Sequence, residues 1–193
     1  MKLRTAVQTA GVVLAAAVVG ALLTRPLLGY LIDRHAIRNG PWRTSATTGS
    51  ADANPYERAA VALAGLYALT REEAIYYTAF TDSTGEPLRG ECRYRVRGTP
   101  PPARWWSITV YGADHFLIPN TAGVYARNAS SLPLAADGRY TLALSSTATA
   151  DNGLPTPASG AFSLTLRLYN PAPEVSAQLA TLALPSIERE HCP

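Results

Sequence analysis

Two segments of this chain alternate apolar and polar residues with a period of two. In "RWWSITVY", Arg104 to Tyr111, the apolar residues Trp106, Ile108 and Val110 oppose Trp105, Ser107, Thr109 and Tyr111. In "AFSLTLRLY", Ala161 to Tyr169, Phe162, Leu164, Leu166 and Leu168 oppose Ser163, Thr165, Arg167 and Tyr169. Successive side chains of a β-strand point to opposite faces. Each segment therefore predicts a strand with one dry side and one wet side. Both polar sides carry Ser-x-Thr followed by Tyr. If the two strands are neighbours in one sheet, their polar sides merge into a surface of hydroxyls, rings and one guanidinium. Such a surface suits a polar ligand such as a sugar, with Trp105 as a stacking platform. The plain alternative is a half-solvated sheet face in which Thr and Tyr serve only as good strand formers.

A third segment, "ECRYRVRG", places Glu91, Arg93, Arg95 and Arg97 on one side and Cys92, Tyr94 and Val96 on the other. A row of arginines can hold an anion. We read it instead as a solvated face paired with acids on a neighbouring strand. Strands are expected at 73–81, 90–97, 104–112, 122–126, 139–145 and 162–169. Turn-forming residues separate them, among them Asp137-Gly138 and Asn152-Gly153, and 146–160 reads as a loop. Short strands at this spacing predict a mainly β protein, an antiparallel β-sandwich or barrel-like sheet.

One short helix is expected ahead of the strands. Asn54 can cap it, Pro55 suits its first position and Glu57 stands three residues after the cap. The pattern runs to about Leu69, with Ala60, Leu63, Ala64 and Tyr67 on one stripe. Thr70 and Glu73 repeat the capping spacing, but "EAIYYTAF" is rich in β-branched and aromatic residues, so a strand entered through one helical turn is expected there. Residues 39–53 are rich in Gly, Ser and Thr and read as a linker.

The N-terminus is different in kind. Thr5 to Thr24 contains no charged residue, and 20 helical residues span about 30 Å, the thickness of a bilayer's hydrocarbon core. Arg4 and Arg25 bracket the segment where they can reach the headgroups. A cleaved signal peptide is the rival, with Val19-Gly20-Ala21 as a cleavage site. The apolar run exceeds a usual signal core and continues through "LLTRPLLGYLI", which favours an uncleaved anchor. The chain thus divides into a transmembrane anchor at 5–24, a juxtamembrane segment and linker at 25–53, and a sandwich domain at 54–193.

The formal charge of +3 does not indicate nucleic acid. Lys2, Arg4 and Arg25 are unopposed in residues 1–32, whereas from Asp33 onward 14 arginines meet 14 acids. The body carries no basic footprint, and no nucleic-acid partner is expected. No pair of histidines has metal-ligand spacing, no Cys-x-x-Cys occurs, and neither a Gly-x-Ser-x-Gly elbow nor a phosphate-cradling glycine loop is present. No metal or cofactor is expected. Asp114 and His115 are adjacent and would point apart in an extended chain, so Asp114 reads as a turn residue after Gly112-Ala113. The two cysteines permit one bridge. Cys92 falls on an inward side and Cys192 is next to last. In an oxidising compartment a Cys92–Cys192 disulfide is expected, closing a loop of about a hundred residues, with an upper contribution of about 4–5 kcal/mol on the chain-entropy model.

The strings "RWWSITVYGADHFLIPN", "DGRYTLALS", "NGLPTP" and "FSLTLRLYNPAPEV" resemble the bacterial domain-of-unknown-function family numbered 1214. "NGPWRT", the segment from Asn54 to Val96 and a terminal Cys resemble its short membrane-anchored form. The likeness covers roughly residues 40–193. It implies a β-sandwich of jelly-roll kind and a place in the cell envelope, and it supplies no activity. Asn152-Gly153-Leu154-Pro155 departs from the Asn-Trp-Leu-Pro common in the family; if that Trp binds a ligand, Trp105 takes its place here or the site is altered.

Counting basic residues around the anchor favours a body inside the cell, since Arg25, Arg34, Arg38 and Arg43 follow it. The cysteines and the resemblance favour the periplasm or the exterior, which we take, with the anchor in a bacterial inner membrane. The expected function is a binding module for a polar ligand such as a glycan, through Trp105, Ser107, Thr109, Tyr111, Ser163, Thr165, Arg167 and Tyr169. The alternatives are a hydrolase whose residues converge only in the fold, and a structural envelope protein.

Overall fold

The computed structural model of the protein describes residues 2–63, 68–148 and 151–193. Helix α1, Lys2–His35, leads into the short strands β1, Ile37–Asn39, and β2, Trp42–Thr44. Helix α2, Pro55–Leu63, precedes β3, Ala74–Ala79. The remaining strands are β4, Arg93–Gly98; β5, Ala103–Gly112; β6, Ala126–Asn128; β7, Tyr140–Ser145; β8, Gly153–Pro155; and β9, Phe162–Pro171. A 3-10 helix, Pro173–Ala177, leads toward β10, Ser186–His191.

The strands form two sheets, ordered β1-β2-β3-β9-β5-β6 and β10-β4-β7-β8. The sheets pack face to face as a sandwich. Trp106, Ile108 and Val110 of β5 and Leu164, Leu166 and Leu168 of β9 share one core with Tyr94 and Val96 of β4 and Leu142 and Leu144 of β7. Two ring contacts cross between the sheets or their flanks. Trp106 stacks on Tyr140 at 4.6 Å between centroids, and Tyr94 meets Phe162 edge-on at 5.8 Å. Burial of each such side chain contributes roughly 1.5–3 kcal/mol, so the period-two pattern is also the main source of stability. Buried phenols keep partners or stay neutral. Tyr77 donates to the Leu179 carbonyl at 3.1 Å, and its burial pushes the phenol up to about 12 against a smaller opposing effect of Arg71.

The expected mainly β sandwich is present, with one amendment: β7 and β8 run parallel, which makes the smaller sheet mixed. Double-sheet jelly rolls hold eight strands in two Greek keys; here the described residues give ten, divided six and four. Asn152-Gly153 is not a hairpin turn. The Asn152 carbonyl accepts the Ala143 N–H at 2.9 Å, and Gly153 opens β8.

Residues 39–53, expected as a linker, begin inside the sheet. Trp42 is fully buried, pairs through β2 with Ala79 of β3, and donates its indole N–H to the Pro185 carbonyl at 2.8 Å. The capping box of α2 is half realised. Asn54 Oδ1 accepts the Glu57 N–H at 3.0 Å, but the Glu57 carboxylate turns outward to accept the hydroxyls of Ser45, Thr47 and Thr48. The helix is described to Leu63, and the expected stripe positions Ala64 and Tyr67 lie outside the described residues. At Thr70 the chain makes the single expected turn, with the Glu73 and Ala74 N–H groups donating to the Thr70 carbonyl at 2.9 and 2.8 Å, and then enters β3.

Helix α1 is long and apolar enough to cross a membrane by length and composition, with a mean hydropathy of 2.1 in its most apolar window and none of that window buried. It continues past Thr24, through Pro26, to His35. Asp33 near its end forms an ion pair with Arg43 of β2.

On the outer side of the smaller sheet, β10 pairs antiparallel with β4, with Glu188 opposite Arg95. Arg97 lies 3.3 Å from Glu188, and Arg95 pairs with Glu190. Two of the row's three arginines therefore meet acids, as expected of a paired face, and Arg93 stands opposite His191. Cys92 and Cys192 form the predicted disulfide. Nearby, the buried Asp82 accepts the Thr84 hydroxyl at 2.6 Å and the N–H groups of Thr84 and Glu86 at 3.0 Å, and pairs with Arg189 at 3.1 Å. Desolvation alone would raise its pKa; the hydrogen bonds from Thr84 and Glu86, with the Arg189 charge, outweigh it and hold the carboxyl below the usual range.

Candidate functional site

β5 and β9 are adjacent, antiparallel and in register for their full length. Trp105 stands opposite Tyr169, Ser107 opposite Arg167, Thr109 opposite Thr165 and Tyr111 opposite Ser163. All eight expected residues therefore lie on one face, the side of the larger sheet turned away from the core. The apolar halves of the same strands are closed inside, with Ile108, Leu164, Leu166 and Leu168 fully buried. The two polar rows interleave because an antiparallel register pairs odd with odd positions on these two strands.

The rows extend beyond the two strands. Tyr76 of β3 stands opposite Arg167, and Asn128 of β6 opposite Ser107, so Tyr76, Arg167, Ser107 and Asn128 form one line across four strands. Thr78, Thr165 and Thr109 form the next line. Tyr76 and Thr78 were not among the expected site residues. The alternation of "EAIYYTAF" carried the signal, but nothing in it says that β3 borders β9.

The geometry centres on Arg167. Its Nη1 donates to Thr109 Oγ1 at 3.1 Å and its Nη2 to the Tyr111 hydroxyl at 2.7 Å. Its guanidinium carbon lies 5.4 Å from the Tyr111 ring centroid and 5.9 Å from that of Tyr76, within cation–π range. Hydrogen bonds and rings thus hold the side chain along the face. Thr78 and Thr165 hydroxyls approach to 3.4 Å. Ser107, Thr109, Ser163 and Thr165 are buried between larger neighbours, whereas Trp105, Tyr111, Arg167 and Tyr169 are half-buried and reach solvent. Trp105 and Tyr169 lie 5.2 Å apart with tilted planes, a two-ring platform beside the arginine.

The turn after β5 is a separate feature. Asp114 Oδ1 accepts the Phe116 N–H at 3.0 Å, as expected of a turn residue. A Cβ on Gly112 would meet that oxygen at 2.8 Å, so a larger residue there would make the Asp114 side chain shift. His115 takes a left-handed φ of 67° and is exposed, as is Asp114. Neither side chain joins the Arg167 face. Among the described residues no three His, Cys, Asp or Glu side chains gather as a metal-binding group. The arrangement can hold a ligand by stacking, hydroxyl hydrogen bonds and one cation; it has no nucleophile–base pair.

A two-sheet, mainly β domain with a polar, ring-lined sheet face is the class that these elements define. Residues 73–173, just over half of the chain, match the family described as Protein of unknown function (DUF1214), and the chain belongs to that family. Of solved structures, the VPA0106 protein from Vibrio parahaemolyticus is similar at 26% identity and a TM-score of 0.60, over 72% of this chain. The match spans 36% of that protein's length. A putative uncharacterized protein from Burkholderia cenocepacia aligns at 19% identity with a TM-score of 0.46, over 86% of this chain and 40% of its own. No curated protein matches.

Proposed function

We propose that the protein is a membrane-anchored domain of the cell envelope that binds a polar ligand, such as a glycan, on the outer face of its larger sheet. The observation that carries this reading is the register of β5 against β9, which lines up Trp105 with Tyr169 and Ser107 with Arg167. Aromatic rings offer apolar faces to the C–H faces of sugar rings, while hydroxyls and a guanidinium match sugar hydroxyls. The ligand site is pre-arranged, since Arg167 is already fixed by Thr109 and Tyr111, and a pre-ordered side chain loses little freedom on binding.

Anchoring by α1 is supported by its length and hydropathy. An exported body is supported by the Cys92–Cys192 bridge, because disulfides persist in oxidising compartments. A glycan array probed with the full-length protein in detergent, as wild type and as Trp105→Ala, tests the binding reading. We expect a defined set of glycans to be retained by the wild type and lost or weakened in the variant. Equal retention by both proteins contradicts it.

A further inference from the structure

Resting on the binding reading above, we infer that the ligand is acidic, and that Arg167 receives its oxyanion while Trp105 and Tyr169 stack on a neighbouring unit. Ion pairs join Arg43 to Asp33, Arg95 to Glu190, Arg97 to Glu188, Arg139 to Asp137 and Arg189 to Asp82. Arg167 is half-buried in the middle of a sheet face, and among the described residues no carboxylate lies within ion-pair distance of it.

Its two hydrogen bonds go to neutral hydroxyls, Thr109 and Tyr111. Guanidinium has five N–H donors, so most of its donor capacity is left, and none of these partners is an anion that would neutralise its charge. Charge-assisted hydrogen bonds to an oxyanion are roughly twice as strong as those to a neutral hydroxyl, and they strengthen where rings displace water. The walls contribute to selectivity: Tyr76 and Tyr111 flank the cation with ring faces, which favour it without neutralising it. Two residues along β9, about 7 Å, separate Arg167 from Tyr169, so charge and ring contacts belong to adjacent parts of one ligand. A carboxylate, a sulfate ester and a phosphate ester share the required chemistry.

The test is calorimetry on the full-length protein in detergent at low salt. The probes are an oligogalacturonate and its methyl ester, a sulfated oligosaccharide and a phosphorylated oligomannose, the last two each with its unmodified parent. Wild type is compared with Arg167→Gln, Arg167→Lys and Trp105→Ala, with thermal unfolding as the check on folding. We expect at least one acidic probe to bind about tenfold tighter than its neutral counterpart, with the preference shrinking as salt rises. Arg167→Gln should erase that preference, Arg167→Lys should keep part of it, and Trp105→Ala should weaken acidic and neutral forms alike. Neutral forms that bind as tightly as acidic ones, with Trp105→Ala losing both, overturn the inference and leave the binding reading standing. An acidic preference that survives in Arg167→Gln overturns the assignment to Arg167. Binding of none of these probes overturns the inference together with the reading beneath it.

Discussion

The outer faces of the two sheets both carry arginine, and they surround it differently. On the smaller sheet, Arg95 and Arg97 of β4 face the acids of β10. On the larger sheet, Arg167 stands between Tyr76 and Ser107 and touches only hydroxyls and rings. In the first setting the charge is spent within the molecule, and cross-strand pairs of this kind stabilise modestly. In the second it is held in place and left available. The number of arginines in a strand therefore says little about recognition; what stands opposite each one says a great deal.

Five substitutions bear on how the two sheets are held and which faces are dry. The two largest effects should follow loss of the Cys92–Cys192 bridge, which ties the end of β10 beside the start of β4, and loss of the Trp106 ring. Cys192→Ser, or reduction, is expected to cost about 2–5 kcal/mol in denaturant unfolding, and amide exchange should rise first along β10 rather than along β9. Exchange rising first in the larger sheet would place the weak point on the wrong side. Next, Trp106→Ala should cost about 3–5 kcal/mol through the cavity left against Tyr140, whereas Trp105→Ala, one residue away on the wet side, should leave the unfolding midpoint nearly unchanged. Similar midpoint losses for the two tryptophans would undo the assignment of faces.

Asp82→Ala is expected to cost about 1–3 kcal/mol, since it removes the acceptor that organises the 82–86 turn and strands Arg189. The pH dependence has a definite sign. Asp82 is held below its ordinary 3.8 in the folded protein, so its contribution is present above that value and fades as pH falls through the lower folded pKa. An acid titration of stability in which wild type and variant run parallel would contradict this. The smallest effect belongs to Arg97→Ala. A half-exposed pair with Glu188 is expected to contribute about 0.2–1 kcal/mol, diminishing with added salt; a larger, salt-independent loss would mean that the pair does more than solvate an edge.

Much of this was legible in the residues and some was not, for identifiable reasons. Long strands with one dry side announce themselves, and β5 and β9 did so with both faces assigned correctly. β1 and β2 were hidden because three-residue strands among Gly, Ser and Thr look like linker, with Trp42 as the lone hint. β8 carries Pro155, and β10 buries only Ile187 among polar and charged residues, so neither shows a repeating pattern. The candidate face was legible as two half-surfaces. Their union required knowing that β5 pairs with β9, strands whose facing residues Ser107 and Arg167 are far apart in the chain. The third contributor, Tyr76, became visible only when β3 was found on the other flank of β9.

The most direct test compares the two faces in one titration. Full-length protein in detergent is titrated with whichever glycan the array retains, as wild type, Trp105→Ala and Arg97→Ala. The account predicts that Trp105→Ala weakens binding by about tenfold or more while Arg97→Ala leaves it unchanged. Weakening by Arg97→Ala with Trp105→Ala indistinguishable from wild type would put recognition on the opposite sheet.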